Sequence, residues 1–183
     1  MDLGTLSKHF SRPQAMTAEV IAEVIQRFAR TARLGEQAGF TGVEIHAAHG
    51  YLLSQFLSPL SNQRTDAWGG SLENRARLLL DIVKAVRAVV SREFAVAVKL
   101  NSADFQRGGF TADDAKQVVE WLNDLGVDLV ELSGGSYEAP AMQGDARDGR
   151  TLAREAYFVE FAHDIQTVAK MPVMVTCLLY TSD

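Results

Sequence analysis

His46, His49 and Tyr51 crowd into the segment EIHAAHGYLLSQFLSP, Glu44–Pro59. His46 closes an apolar run that reads as a strand, and alternating positions at a strand end can direct two imidazoles and a phenol into one pocket. Two imidazole N–H groups can hold a carbonyl or phenolate oxygen and stabilise charge that develops there. A tyrosine hydroxyl can give up a proton as a general acid. The same residues also suit simple packing, so the site and the structural readings both stand at this point. A metal pair is the weaker alternative, because no third ligand follows at zinc-like spacing. Lys99 is the next candidate, inside the otherwise apolar run FAVAVKL, Phe94–Leu100. A buried ammonium needs a partner. Glu131 or Asp128 would supply an ion pair, an anionic ligand or intermediate would supply a functional one, and a Schiff-base role is a third option.

Other polar segments carry weaker signals. Asn62–Leu80, NQRTDAWGGSLENRARLLL, reads as a self-paired polar loop joined to a capped helix, with Trp68 as loop packing or ligand stacking. The two glycines of LSGGSY, Leu132–Tyr137, would let backbone approach a flat or phosphorylated ligand. Gly108–Phe110 reads as a turn. His9 and His163 lack such a context, and His163 is expected at the surface of a helix.

The elements that position these residues follow from periodicity. Residues 1–16 read as a polar lead-in. From Thr17, a suitable N-cap, Val20, Ile21, Val24, Ile25, Phe28, Ala29 and Ala32 repeat at helical spacing. Gly39 ends that helix, and Gly42–His46 follows as a strand. The unit recurs as a helix over Leu72–Val90 capped by Ser71, then the Phe94–Leu100 strand. It recurs again as a helix opened by Thr111, with Asp114 placed for a capping box, stopped by Gly126 and followed by the strand Val127–Gly134. A fourth helix over Arg154–Val168 leads to Met171–Thr176. Four helix–strand units with strands read as apolar on both faces predict a parallel sheet covered by helices. The helix-to-strand links are short. The strand-to-helix links, Ala47–Gly70, Asn101–Gly109 and Gly134–Gly149, are long and polar, which favours a (β/α)8 barrel over a doubly wound sheet. Four units make about half of the roughly 250 residues such a barrel uses.

Composition narrows the class. The chain has 183 residues, of which 47% are hydrophobic, with 18 Lys and Arg against 23 Asp and Glu for a formal charge of −5. A mildly acidic chain without a basic block argues against nucleic-acid and anionic-membrane partners. The single Cys177 excludes an internal disulfide. No leader-like segment or run long enough to span a membrane is apparent. The expectation is a soluble, cytoplasmic α/β chain.

Three segments then identify a relationship. AGFTGVEIHAAHGYLLSQFLSPLSNQRTDAWGGSLENRARLLL, VAVKLNSADFQRGGFT and GVDLVELSGGSYEAP, in this order and spacing, resemble the Old Yellow Enzyme family of FMN-dependent ene-reductases and NADH:flavin oxidoreductases. The resemblance runs from about Pro13 to Thr176. It implies a partial (β/α)8 barrel, FMN as cofactor, NAD(P)H as reductant and a small-molecule substrate with an activated C=C bond. By the same resemblance, His46 and His49 bind the oxygen of the activating group or of a phenol. Tyr51 supplies the proton after hydride leaves the flavin, and Lys99 sits beside the flavin and favours its reduced, anionic form. His46 also counts among the cofactor-contacting positions. Two departures shape the expected domain layout. The family's first strands cannot be placed in residues 1–16, and CLLYTSD, Cys177–Asp183, stands where a phosphate-binding loop should begin. The expectation is a partial FMN-binding barrel over 1–176 and an atypical tail over 177–183. The alternatives are a phosphate-handling Schiff-base lyase or aldolase acting through Lys99, and a non-catalytic fragment. Unpaired strand edges would let the chain form homo-oligomers.

Overall fold

The computed structural model describes residues 14–135 and 161–176. In chain order the elements are α1 (Ala18–Gln37), β1 (Gly42–Ala47), α2 (Leu52–Leu57), α3 (Leu72–Arg87), β2 (Ala95–Asn101), α4 (Ala112–Leu122), β3 (Leu129–Ser133) and β4 (Val173–Val175). Residues 161–166 are also helical, which is the described end of the helix expected over Arg154–Val168. The beginning of that helix, His9, most of the Gly134–Gly149 loop and the 177–183 tail lie outside the described residues.

The expected caps form. The Thr17 hydroxyl accepts from the Val20 N–H at 3.3 Å, and Ser71 accepts from Asn74 at 3.4 Å. Thr111 and Asp114 close a reciprocal capping box, each side chain accepting the other's backbone N–H at 3.2 Å. Each cap removes one orphan donor at a helix start, worth about 1 kcal/mol. α3 stops at Arg87 rather than Val90, since the chain turns there to enter β2 and leaves Val89 exposed. α2 was not expected. Leu52, Leu53, Phe56 and Leu57 recur at helical spacing inside a stretch that otherwise reads as loop, and three of them are buried.

The four strands are parallel and ordered β1-β2-β3-β4. That order has no switch point, which separates this sheet from the doubly wound alternative. Gly42 lets β1 approach β2 closely: a Cβ there would lie 2.7 Å from the Ala95 carbonyl oxygen. One sheet face, carrying Ile45, Ala47, Val96, Val98, Leu100, Val130 and Leu132, is almost fully buried. The inner sides of the helices meet it through Leu78, Leu79, Ile82, Val83, Val118 and Leu122, with each fully buried aliphatic side chain contributing about 1.5–3 kcal/mol. The other face corrects the expectation of strands apolar on both sides. By strand alternation it presents Glu44, His46, Lys99, Asn101, Glu131 and Ser133. The long apolar runs conceal this second, polar face because Val and Ala dominate between the charges.

Candidate functional site

The polar face ends in the long loop after β1, and that loop is pinned from three sides. Arg75, 8% exposed, donates to the Leu57 carbonyl at 2.7 Å, to the Gly70 carbonyl at 2.8 Å and to Asp114 at 3.3 Å. It ties the end of α2 to the starts of α3 and α4. Asn62 donates to the Phe56 and Trp68 carbonyls, both at 2.7 Å, and Arg64 pairs with Asp66. The Asn62–Leu80 segment is thus the self-paired loop that its composition suggested, and Trp68 packs on the core. α2 is held against β1 and carries Tyr51 at its N-cap.

Strand alternation alone does not assemble the site. His46 lies in β1, but His49 and Tyr51 lie beyond it. His49 takes φ +62° and Gly50 φ +76°, so two consecutive left-handed residues fold the chain back. A left-handed conformation costs a non-glycine residue about 1–2 kcal/mol, and local bonds hold it. The His49 N–H donates to Asn101 Oδ1 at 3.1 Å, and the Gly50 N–H donates to Ser54 Oγ at 3.2 Å. As a result the His49 ring meets His46 edge-on at 5.1 Å, and the Tyr51 ring meets His46 at 5.0 Å. Lys99 is the register partner of His46 on β2, so all four candidates share the C-terminal end of β1 and β2.

A backbone hydrogen bond assigns the proton of His46. The Ala48 N–H donates to His46 Nδ1 at 3.2 Å, which leaves the proton of a neutral imidazole on Nε2 as an outward donor. His49 Nε2 lies 2.6 Å from Ser133 Oγ. Burial, and then the Lys99 charge, hold the His46 imidazole below its ordinary value of 6.5. Burial and the neighbouring His46 and Lys99 do the same for His49. Both rings are therefore neutral at pH 7. Tyr51 is 44% exposed and Lys99 is largely covered, with a side chain 17% exposed. Of the two partners considered for Lys99, Glu131 is the one found, at 2.7 Å, whereas Asp128 pairs with Arg87.

Three contributors escaped sequence reasoning. Asn101 and Ser133 bond His49 from β2 and β3, and Glu44 lies two residues before His46 on the same face. The signal for the first two is weak but present: each is a polar residue closing an apolar strand. His163 is exposed on its helix. Among the described residues no group of three or more His, Cys, Asp or Glu could hold a metal ion, and no helix is long and apolar enough to cross a membrane.

Comparison with known proteins gives these positions a setting. The model of the NADH:flavin oxidoreductase / NADH oxidase family matches residues 2–181. An NADH-dependent flavin oxidoreductase of Neonectria sp. (strain DH2) is 43% identical over 175 residues, which is 91% of this chain and 23% of that protein. A solved 2-naphthoyl-CoA reductase superposes with a TM-score of 0.78 at 34% identity, covering 92% of this chain and 25% of that one. An old yellow enzyme homologue from Zymomonas mobilis superposes with a TM-score of 0.73 at 27% identity, covering 94% and 45%. The chain thus spans less than half the length of each of these relatives. The sheet and its helices correspond to part of their TIM barrel.

Proposed function

Because the chain belongs to the NADH:flavin oxidoreductase / NADH oxidase family, we propose that the protein containing it reduces an activated C=C bond at the expense of NADH or NADPH, through FMN. The observation that carries this reading is the packing of His46, His49 and Tyr51 on one another beside Lys99, at one end of a parallel sheet. The donor set suits the cofactor: Lys99 is the one Lys or Arg on the polar face of the described strands, where a reduced flavin needs a cation. When bound, FMN supplies the hydride-transfer chemistry. Everything else falls to this chain. His46 Nε2–H and the His49 ring hold the substrate's carbonyl or phenolic oxygen and stabilise charge as it develops there. The Tyr51 hydroxyl delivers a proton to the carbon next to the activating group. Tyr51 suits that task because α2 fixes its backbone while its ring stays partly open to an incoming molecule. Lys99 favours negative charge beside it.

A Schiff-base lyase is disfavoured by the ion pair, since an ammonium held by Glu131 is a donor and not a free amine nucleophile. We place the activity in the cytoplasm, on small molecules and not on nucleic acid or membrane, in keeping with the acidic chain. FMN titration of the intact protein, followed by anaerobic addition of NADH or NADPH, tests the reading. Stoichiometric uptake and bleaching of the flavin absorbance are expected. A colourless protein, or borohydride trapping of a substrate carbonyl on Lys99, would overturn it.

A further inference from the structure

The roles above leave two carboxylates on the polar face of the sheet unused. Glu131 is the register partner of Lys99 on β3 and holds its ammonium at 2.7 Å, with the carboxylate side chain 8% exposed. Glu44 lies on β1, two residues before His46 on the same face. Among the described residues the remaining titratable neighbours of this pair are His46, His49 and Lys99, and β4 places the uncharged Met174 opposite Glu131. Three strands therefore set one cation against two acids.

The two acids titrate differently. Glu44 is open to solvent on one side, but loss of water on its sheet side, followed by a hydrogen bond to Glu131 and repulsion from it, pushes its carboxyl up to about 7 against the pull of Lys99. Burial would also raise Glu131, yet the hydrogen bonds from Lys99 and Glu44 outweigh it and keep that carboxyl below its ordinary value. Below about pH 7 the trio is Lys99 charged, Glu131 charged and Glu44 neutral, so its net charge is zero. Above that pH, Glu44 loses its proton and the trio becomes negative.

Resting on the flavin reading above, we propose that Glu131 is a positioning residue that acts through Lys99: buried at 2.7 Å from its ammonium, it is a countercharge that limits how strongly this cation favours reduced, anionic FMN, with Glu44 on β1 as a second acid of the same face. Glu131 takes up most of the field of Lys99 at every pH near neutral. Glu44 adds a second, pH-dependent opposition. Reduction by two electrons and one proton puts a negative charge on the flavin, and that charge in turn favours uptake of a further proton by Glu44.

The test is the midpoint potential of bound FMN in the intact protein, measured between about pH 6 and about pH 8.5. Glu131→Gln should raise it, shifting the reduction equilibrium about tenfold, or about 30 mV for a two-electron couple. In the unaltered protein the potential should fall more steeply through about pH 7 than on either side. Glu44→Gln should straighten that plot. An unchanged or lowered potential in Glu131→Gln overturns the inference. So does a Glu44→Gln plot that superposes on the unaltered protein, and that second result decides the matter if Glu131→Gln does not fold. Absence of FMN from the unaltered protein is a distinct result that removes the flavin reading itself and the inference with it.

Discussion

Asn101→Ala should damage the site from a position that touches no substrate. Asn101 is 2% exposed and makes three side-chain bonds: it accepts from the His49 N–H at 3.1 Å and donates to the Gly135 carbonyl at 3.1 Å and to Asp104 at 3.4 Å. Truncation strands one donor, the His49 N–H, and two acceptors, the Gly135 carbonyl and Asp104, and with about 1–3 kcal/mol for each stranded group the expected loss of stability is at least about 3 kcal/mol. The damage to function follows from the backbone. His49 holds φ +62° against a preference of about 1–2 kcal/mol, and the Asn101 bond is one of the few that oppose its relaxation. Once His49 relaxes, its ring leaves both Ser133 and His46. Affinity of the FMN-loaded protein for a simple phenol should then fall about tenfold or more, as it would in His49→Ala, corresponding to at least about 1.4 kcal/mol. Urea unfolding gives the first quantity and a phenol titration the second. Asn101→Asp keeps the acceptor for His49 but loses both donors, so it should lose stability while retaining most of the affinity. An Asn101→Ala protein with unaltered phenol affinity would refute this account of how His49 is held.

Other perturbations follow from the same contacts. Lys99→Met leaves the Glu131 carboxylate buried without its cation and should cost about 3–5 kcal/mol, most of it regained in Lys99→Met/Glu131→Leu; a double-mutant cycle in urea checks this. Arg75→Met removes three charged donor contacts that join α2, α3 and α4 and should cost about 3 kcal/mol, read as a lowered unfolding midpoint. Glu44 has a folded value of about 7, above its ordinary 4.5, so its contribution to stability is full below 4.5 and is lost as pH rises through about 7. Glu44→Gln should therefore gain stability relative to the unaltered protein between about pH 5 and about pH 8. Both imidazoles act in the opposite sense, since their depressed values mean that stability is lost as pH falls below 6.5.

The elements were legible in the sequence wherever local chemistry determines them. Thr17, Ser71 and Thr111 mark helix starts because a hydroxyl there satisfies an orphan N–H, whatever the rest of the fold does. The apolar runs marked the strands and their parallel order. What remained hidden depends on contacts distant in sequence. The bond from His49 to Asn101 spans 52 residues and that from His49 to Ser133 spans 84, so neither could be read from spacing. The same holds for the choice of Glu131 over Asp128 by Lys99, which a strand register decides. The left-handed turn at His49 was invisible for a different reason: nothing but the following glycine distinguishes it from continued strand. The candidates His46, His49, Tyr51 and Lys99 were thus visible, and the turn and the partners Asn101 and Ser133 that assemble them were not.

The most direct test of the central claim separates the two half-reactions in Tyr51→Phe. That change removes one proton donor and leaves His46, His49 and Lys99 in place. Rapid mixing of the FMN-loaded protein with NADH or NADPH should give flavin bleaching nearly equal to that of the unaltered protein. Mixing the reduced protein with a weakly activated enone should give reoxidation slowed by about 100-fold or more, the scale of one general acid. Reoxidation of Tyr51→Phe at the unaltered rate would show that the proton comes from elsewhere and would contradict the role assigned to Tyr51.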